Sequence, residues 1–106
     1  MKESKWVRAV ALADLPADDV VGVLVEGREL ALCQVAGEVF AIDNRCTHGD
    51  ALLSEGFLMD NCLECPLHQG QFDVRSGEPL CAPVTVAIRT YPVKVEGAEI
   101  LVDLGS

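Results

Sequence analysis

Cys46-Thr47-His48, then sixteen residues, then Cys65-Pro66-Leu67-His68: the reading of the whole chain turns on this stretch. Two arms each offer one thiolate and one imidazole, spaced i, i+2 in the first arm and i, i+3 in the second. The chain contains two histidines, and both stand in this pattern. Two sulfur and two nitrogen donors on short segments suit a metal of soft to borderline character. Two occupants meet that demand: a tetrahedral zinc ion, and an iron–sulfur cluster in which two His replace two Cys on one iron.

Spacing separates them. Structural zinc sites usually open with Cys-x(2–4)-Cys, so that both thiolates of one arm reach the same ion. Here each arm pairs a Cys with a His, which suits two metals bridged by both arms. Cys-x-His-x16-Cys-x2-His resembles the signature of the Rieske [2Fe–2S] family. A zinc-binding structural module on the same four ligands, colourless and redox-silent, is the alternative.

At 106 residues the chain fits one domain with one modest core, to which a bound cluster would add stability. Half of the residues are apolar, enough to drive folding. The longest apolar run, Val20 to Val25, is far too short to span a bilayer. The stretch Met1-Lys2-Glu3-Ser4-Lys5-Trp6 carries neither a hydrophobic segment nor a small-residue cleavage site, so a soluble cytoplasmic protein is expected. Beyond the two motif cysteines stand Cys33, Cys62 and Cys81, an odd number that a cytosolic chain would keep reduced. Cys33 and Cys81 read as small buried hydrophobes. Cys62, three residues before Cys65, keeps a competing ligand role open.

The net charge is −9 and the pI near 4.4, which argues against nucleic acid as a partner. From Asp43 to Glu78, seven acids face only Arg45 and Arg75. A negative face around a redox centre would steer it toward positively charged docking surfaces.

The rest of the chain reads as β. Lys5 to Val10 is a first strand, followed by a Pro- and Asp-rich turn over 13–19. Val20 to Val25, Arg28 to Val35 and Glu38 to Ile42 form a meander, turned at Glu26-Gly27 and Ala36-Gly37. Asp43 to Leu63 reads as loop, bent at Gly49 and Gly56, with one helical turn at 51–54. Gly56 is an ordinary turn residue in this reading. Short strands at Leu63-Glu64 and Gln71 to Val74 flank the second arm, and Ser76 to Pro79 and Ala82-Pro83 turn the chain. Val84 to Arg89, Tyr91 to Glu96 and Glu99 to Leu104 return to β, with Gly97 at the last hairpin. The expected architecture is a single all-β domain over 1–106, with a metal-binding insertion at about 43–83 on a platform of 1–42 and 84–106.

The two arms, the following Gln69-Gly70-Gln71-Phe72-Asp73 and the proline-bearing Cys81-Ala82-Pro83-Val84-Thr85 together resemble Rieske-type ferredoxins. More narrowly they resemble the ferredoxin components of bacterial aromatic-ring-hydroxylating dioxygenases, of the naphthalene dioxygenase type. The likeness runs from Trp6-Val7 through Val25-Glu26-Gly27 to Tyr91-Pro92-Val93-Lys94-Val95. It implies three small antiparallel sheets and one [2Fe–2S] cluster, with Cys46 and Cys65 on one iron and His48 and His68 on the other. Gly49 and Gly70 would bring backbone close to the cluster, and Pro83 would stiffen a third loop over it. It also implies an electron carrier rather than an enzyme, meeting a flavin-containing, nicotinamide-dependent ferredoxin reductase and a terminal oxygenase in transient contacts. Such a carrier binds no substrate and no membrane. A Rieske subunit of another oxidoreductase, such as a nitrite reductase, is the second alternative.

Departures from the respiratory branch of the family bear on potential. That branch carries a disulfide between its ligand loops, where this chain has Ala51 or a neighbour and Leu67, and Ser and Tyr hydroxyls near the cluster, where it has Gly70 and Phe72. Hydrogen bonds to cluster sulfurs raise the potential. Without them, and among acids, a low potential is expected.

Overall fold

A computed structural model of the chain describes residues 5–47, 51–66, 70–81 and 86–105. Its strands are β1 (Trp6–Ala11), β2 (Val20–Val25), β3 (Arg28–Val35), β4 (Glu38–Asp43), β5 (Phe57–Met59), β6 (Cys62–Glu64), β7 (Gln71–Asp73), β8 (Pro79–Cys81), β9 (Thr90–Tyr91), β10 (Val93–Glu96) and β11 (Glu99–Asp103). Among the described residues they make three antiparallel sheets, in the orders β1-β11-β10, β2-β3-β4-β9 and β5-β6-β7-β8.

The middle sheet explains the layering. Leu30, Ala31, Leu32 and Cys33 are each 0% exposed, although successive strand residues point to opposite faces. A strand buried on both sides reads as a continuous apolar run, as β3 does. Leu30 and Leu32, with Val25 and Ala41, pack toward Ile100 and Val102 of the first sheet and toward Tyr91. Ala31, Cys33 and Val35 pack the other way, toward Leu63, Phe72 and Val74 of the third sheet and toward Cys46, Leu53 and Cys65. The molecule therefore has two cores that share one sheet.

Turn chemistry sets the register of the middle sheet. Glu26 and Gly27 (φ 47° and 83°), and Ala36 and Gly37 (φ 50° and 83°), both take the left-handed pair of a two-residue hairpin turn. Glycine is the residue that adopts such angles without strain. The turns pair Val25 with Arg28 and Val35 with Glu38, as alternation along the strands requires.

The expected meander is present, and the all-β reading with three antiparallel sheets holds. Several local expectations need correction. The stretch read as loop over 43–63 contains β5, which turns through Asp60 (φ 53°) into β6. The turn read at 76–79 runs into β8. The helical turn lies at Leu53–Glu55 as a 3-10 turn, overlapping only the second half of the expected 51–54, and a second occupies Leu12–Asp14. No strand runs through the described residues 86–89; the partner of β4 there is the two-residue β9, pairing Tyr91 with Ala41.

Candidate metal centre

Each motif cysteine closes the loop that follows it. The Cys46 backbone N–H donates to the Ala51 carbonyl at 2.9 Å, and the Cys65 N–H donates to the Gly70 carbonyl at 2.6 Å. Both bonds span five residues, so the two loops are of equal size and each starts at a cysteine. Cys46 is 4% and Cys65 0% exposed, and both belong to the core cluster that includes Leu53, Leu63 and Phe72. The cysteines of the two separate arms thus share one buried region.

His48 and Gly49 of the first arm, His68 of the second and Pro83 of the third loop lie outside the described residues. Gly70 is described and buried, and its carbonyl is what anchors Cys65. Among the described residues no three His, Cys, Asp or Glu side chains gather to hold a metal. The donor chemistry fits a cluster with mixed ligands. Bound as thiolates, these buried cysteines would need compensating positive charge, which an iron would supply, and soft sulfur suits iron–sulfur chemistry.

The first arm stands on a short stem. Leu53 N–H donates to the Asn44 carbonyl at 2.7 Å, Arg45 bridges Leu52, and the Cys46 bond completes the rungs. Asn44 is the one buried polar side chain among the described residues. Its Oδ1 accepts from the Ser54 N–H at 2.7 Å, its Nδ2 donates to Ser54 Oγ at 3.0 Å, and its N–H donates to the Glu29 carbonyl of β3 at 3.0 Å. The second arm rises from β6. Alternation places Leu63 and Cys65 on the core face and Cys62 and Glu64 on the opposite one. That parity turns the Cys62 side chain away from the core that holds Cys65.

The remaining cysteines divide. Cys33 is buried as expected, and desolvation, helped by nearby Asp19, pushes its thiol up to about 12. Cys81 is not the buried hydrophobe expected: it is exposed at the end of edge strand β8, opposite Gln71. Burial raises the Cys62 thiol as well, with lesser contributions from Cys81, Glu64 and Asp73. Among the described residues no disulfide is present.

Gly56 also departs from expectation. A Cβ there would lie 1.8 Å from the Glu64 carbonyl oxygen, so glycine is required for close approach rather than for an ordinary turn. The sequence signal was weak, because nothing in a lone Gly-Phe step announces a neighbour eight residues later.

Both arginines of the acidic segment are matched, Arg45 to Glu29 at 3.5 Å and Arg75 to Glu38 at 3.6 Å. Glu55, Asp60 and Glu78 stay exposed around the third sheet. Phe57 and Met59, 69% and 64% exposed, share the outer face of β5, and Phe57 pairs with Glu64 beside Cys65. No helix among the described residues is long and apolar enough to cross a membrane.

The Rieske [2Fe-2S] domain family matches residues 5–92. The ferredoxin component of the naphthalene 1,2-dioxygenase system of Pseudomonas aeruginosa is 60% identical over 100 residues, covering 94% of this chain and 96% of that one. The ferredoxin of carbazole 1,9a-dioxygenase from Nocardioides aromaticivorans IC177 superposes with a TM-score of 0.88 at 38% identity, covering 92% and 96%. A chain from the complex of reduced oxygenase and oxidized ferredoxin in carbazole 1,9a-dioxygenase superposes with a TM-score of 0.87 at 35% identity, covering 92% of each.

Proposed function

Because the chain belongs to the Rieske [2Fe–2S] domain family, we propose that it is the electron-carrying ferredoxin of a multicomponent aromatic-ring-hydroxylating dioxygenase system. The observation that carries this reading is the placement of Cys46 and Cys65 in one core, at the roots of two equal backbone-closed loops. The 60% identity to a naphthalene dioxygenase ferredoxin over nearly the whole chain supports it.

The cofactor is one Rieske-type [2Fe–2S] cluster. Cys46 and Cys65 would hold one iron and His48 and His68 the other, within a single domain over 1–106 whose metal-binding insertion spans about 43–83. When bound, the cluster supplies a reversible one-electron couple. The chain's own work is to keep the two sulfur donors dry, to fix the loops through the Cys46 and Cys65 amides, and to place the exposed acids Glu55, Asp60 and Glu78 around the third sheet. Those acids and the Phe72 ring, which has no hydroxyl to donate, favour a low potential.

The carrier is not an enzyme in its own right; ring hydroxylation belongs to the terminal oxygenase. A relative of this chain forms a complex with its oxygenase, and the same partner class fits here. The electron donor in this reading is a flavin-containing ferredoxin reductase that oxidises a reduced nicotinamide cofactor, and the setting is the cytoplasm. Acidic charge and the apolar patch at Phe57 and Met59 suit brief, steered encounters with both partners. Electron paramagnetic resonance of the dithionite-reduced protein, beside metal analysis, tests the assignment. A rhombic signal of low average g with two irons per chain is expected; a silent protein holding one zinc would overturn it.

A further inference from the structure

The two ligand arms belong to different sheets, yet one short segment touches the root of both. Residues 53–56, the 3-10 turn Leu53–Glu55 and the glycine after it, lie between them. At one end the Leu53 N–H donates to the Asn44 carbonyl, and the Ser54 N–H and Oγ both engage the Asn44 side chain, two residues before Cys46. At the other end Gly56 lies so close to the Glu64 carbonyl, one residue before Cys65, that a Cβ would overlap it. Leu53 itself is 0% exposed in the core cluster that holds both cysteines.

We propose that residues 53–56 are a spacer that sets the separation of the two ligand arms, with Asn44, Ser54 and Gly56 as positioning residues. The inference rests on the reading of the site as a Rieske centre and adds what fixes its width.

Three observations carry it. The four polar groups of Asn44 are all engaged: its N–H reaches β3 at Glu29, and its carbonyl and both side-chain atoms reach the spacer. A buried amide so fully used has one position, and the stem above it inherits that position. The seat below is equally tight. A Cβ on Gly22 of β2 would lie 2.7 Å from Ser54 Oγ and 2.9 Å from Asn44 Nδ2, so the clamp occupies the space a side chain there would need. Finally, the far end is backbone against backbone at Gly56, which leaves no flexible side chain to absorb a shift. A displacement of the spacer is thus passed to both arms.

The test compares variants of the cluster-loaded protein by g values of the reduced state, midpoint potential and rate of iron release to a chelator. Asn44→Ala removes the side-chain half of the clamp. It is expected to move the g values and potential and to release iron about 10-fold faster or more, the range usual for groups that orient metal ligands. Val102→Ala, in the other core, serves as control: it should lower the melting temperature and leave the g values at wild type. Should Asn44→Ala fail to fold, Ser54→Ala, which removes one hydroxyl, carries the same expectation in smaller measure. Wild-type g values and iron release in a folded clamp variant would overturn the spacer, as would equal shifts in the control. A wild-type protein lacking the rhombic signal would instead sink the functional reading itself, so the two failures are distinguishable.

Discussion

The hydroxyl of Thr47 donates to the carbonyl of Val86 at 2.8 Å. The residue between Cys46 and His48 is thereby tied to the far side of the proline-bearing segment 82–85. Thr47→Val keeps the shape and removes the donor, and is expected to speed iron release several-fold, on the order of the lower end known for such outer contacts. Thr47→Ser keeps the donor and should behave as wild type. Release into a chelator, followed by absorbance, reads the difference; equal rates for both variants would count against the tie.

Gly56→Ala is expected to be among the most damaging single changes in the chain. The added carbon would sit 1.8 Å from a backbone oxygen, and no rotamer change can relieve a backbone clash. A loss above about 2 kcal/mol is expected. Thermal unfolding measures it, and a melting temperature within a few degrees of wild type would refute the tight approach.

Alkaline pH should expose Cys33. Its thiol is pushed up to about 12 from an ordinary 9.0, chiefly by burial, so the folded chain holds a proton that the unfolded chain gives up. That contribution is fully present below about pH 9 and is lost as pH rises toward 12, at up to about 1.4 kcal/mol per pH unit. Cys33→Ala should flatten this slope while leaving a small cavity. Denaturant melts of both proteins between pH 8 and pH 10 compare the slopes directly, and parallel slopes would remove Cys33 as the cause.

Electron transfer to and from this carrier should slow as salt rises. The chain carries −9, and the two arginines of the segment from Asp43 to Glu78 are matched to Glu29 and Glu38. Screening shortens the reach of that field to about 10 Å at 0.1 M salt. Stopped-flow rates with reductase or oxygenase that ignore ionic strength would exclude steering.

The platform was legible because its strands are long and each ends in a turn of known chemistry. β2, β3 and β4 run six to eight residues and meet at X-Gly pairs whose positive φ angles the sequence advertises. The third sheet was not, because β5 to β8 have three residues each, too few for a period of two to declare itself. β8 even begins with Pro79, a residue that reads as a turn and is tolerated at the start of an edge strand. The motif cysteines stood out by their spacing to the two histidines, whereas Asn44, Ser54 and Gly56 gained meaning only once the chain brought residue 44 beside 54 and 56 beside 64. Cys81 misled because its type is usually buried, while its place in the sheet is an edge.

Two cores share the middle sheet, and only one of them contains the two motif cysteines. In terms of biogenesis, the other can close before any iron arrives: Leu30, Leu32, Ile100 and Val102 need nothing from the arms. Cluster insertion would then be a late step on a scaffold already built, and cluster loss would leave that scaffold standing. Hydrogen exchange of the iron-free protein should find slow amides in β3 and β11 and fast ones throughout β5 to β8; uniform exchange would mean that scaffold and centre form together.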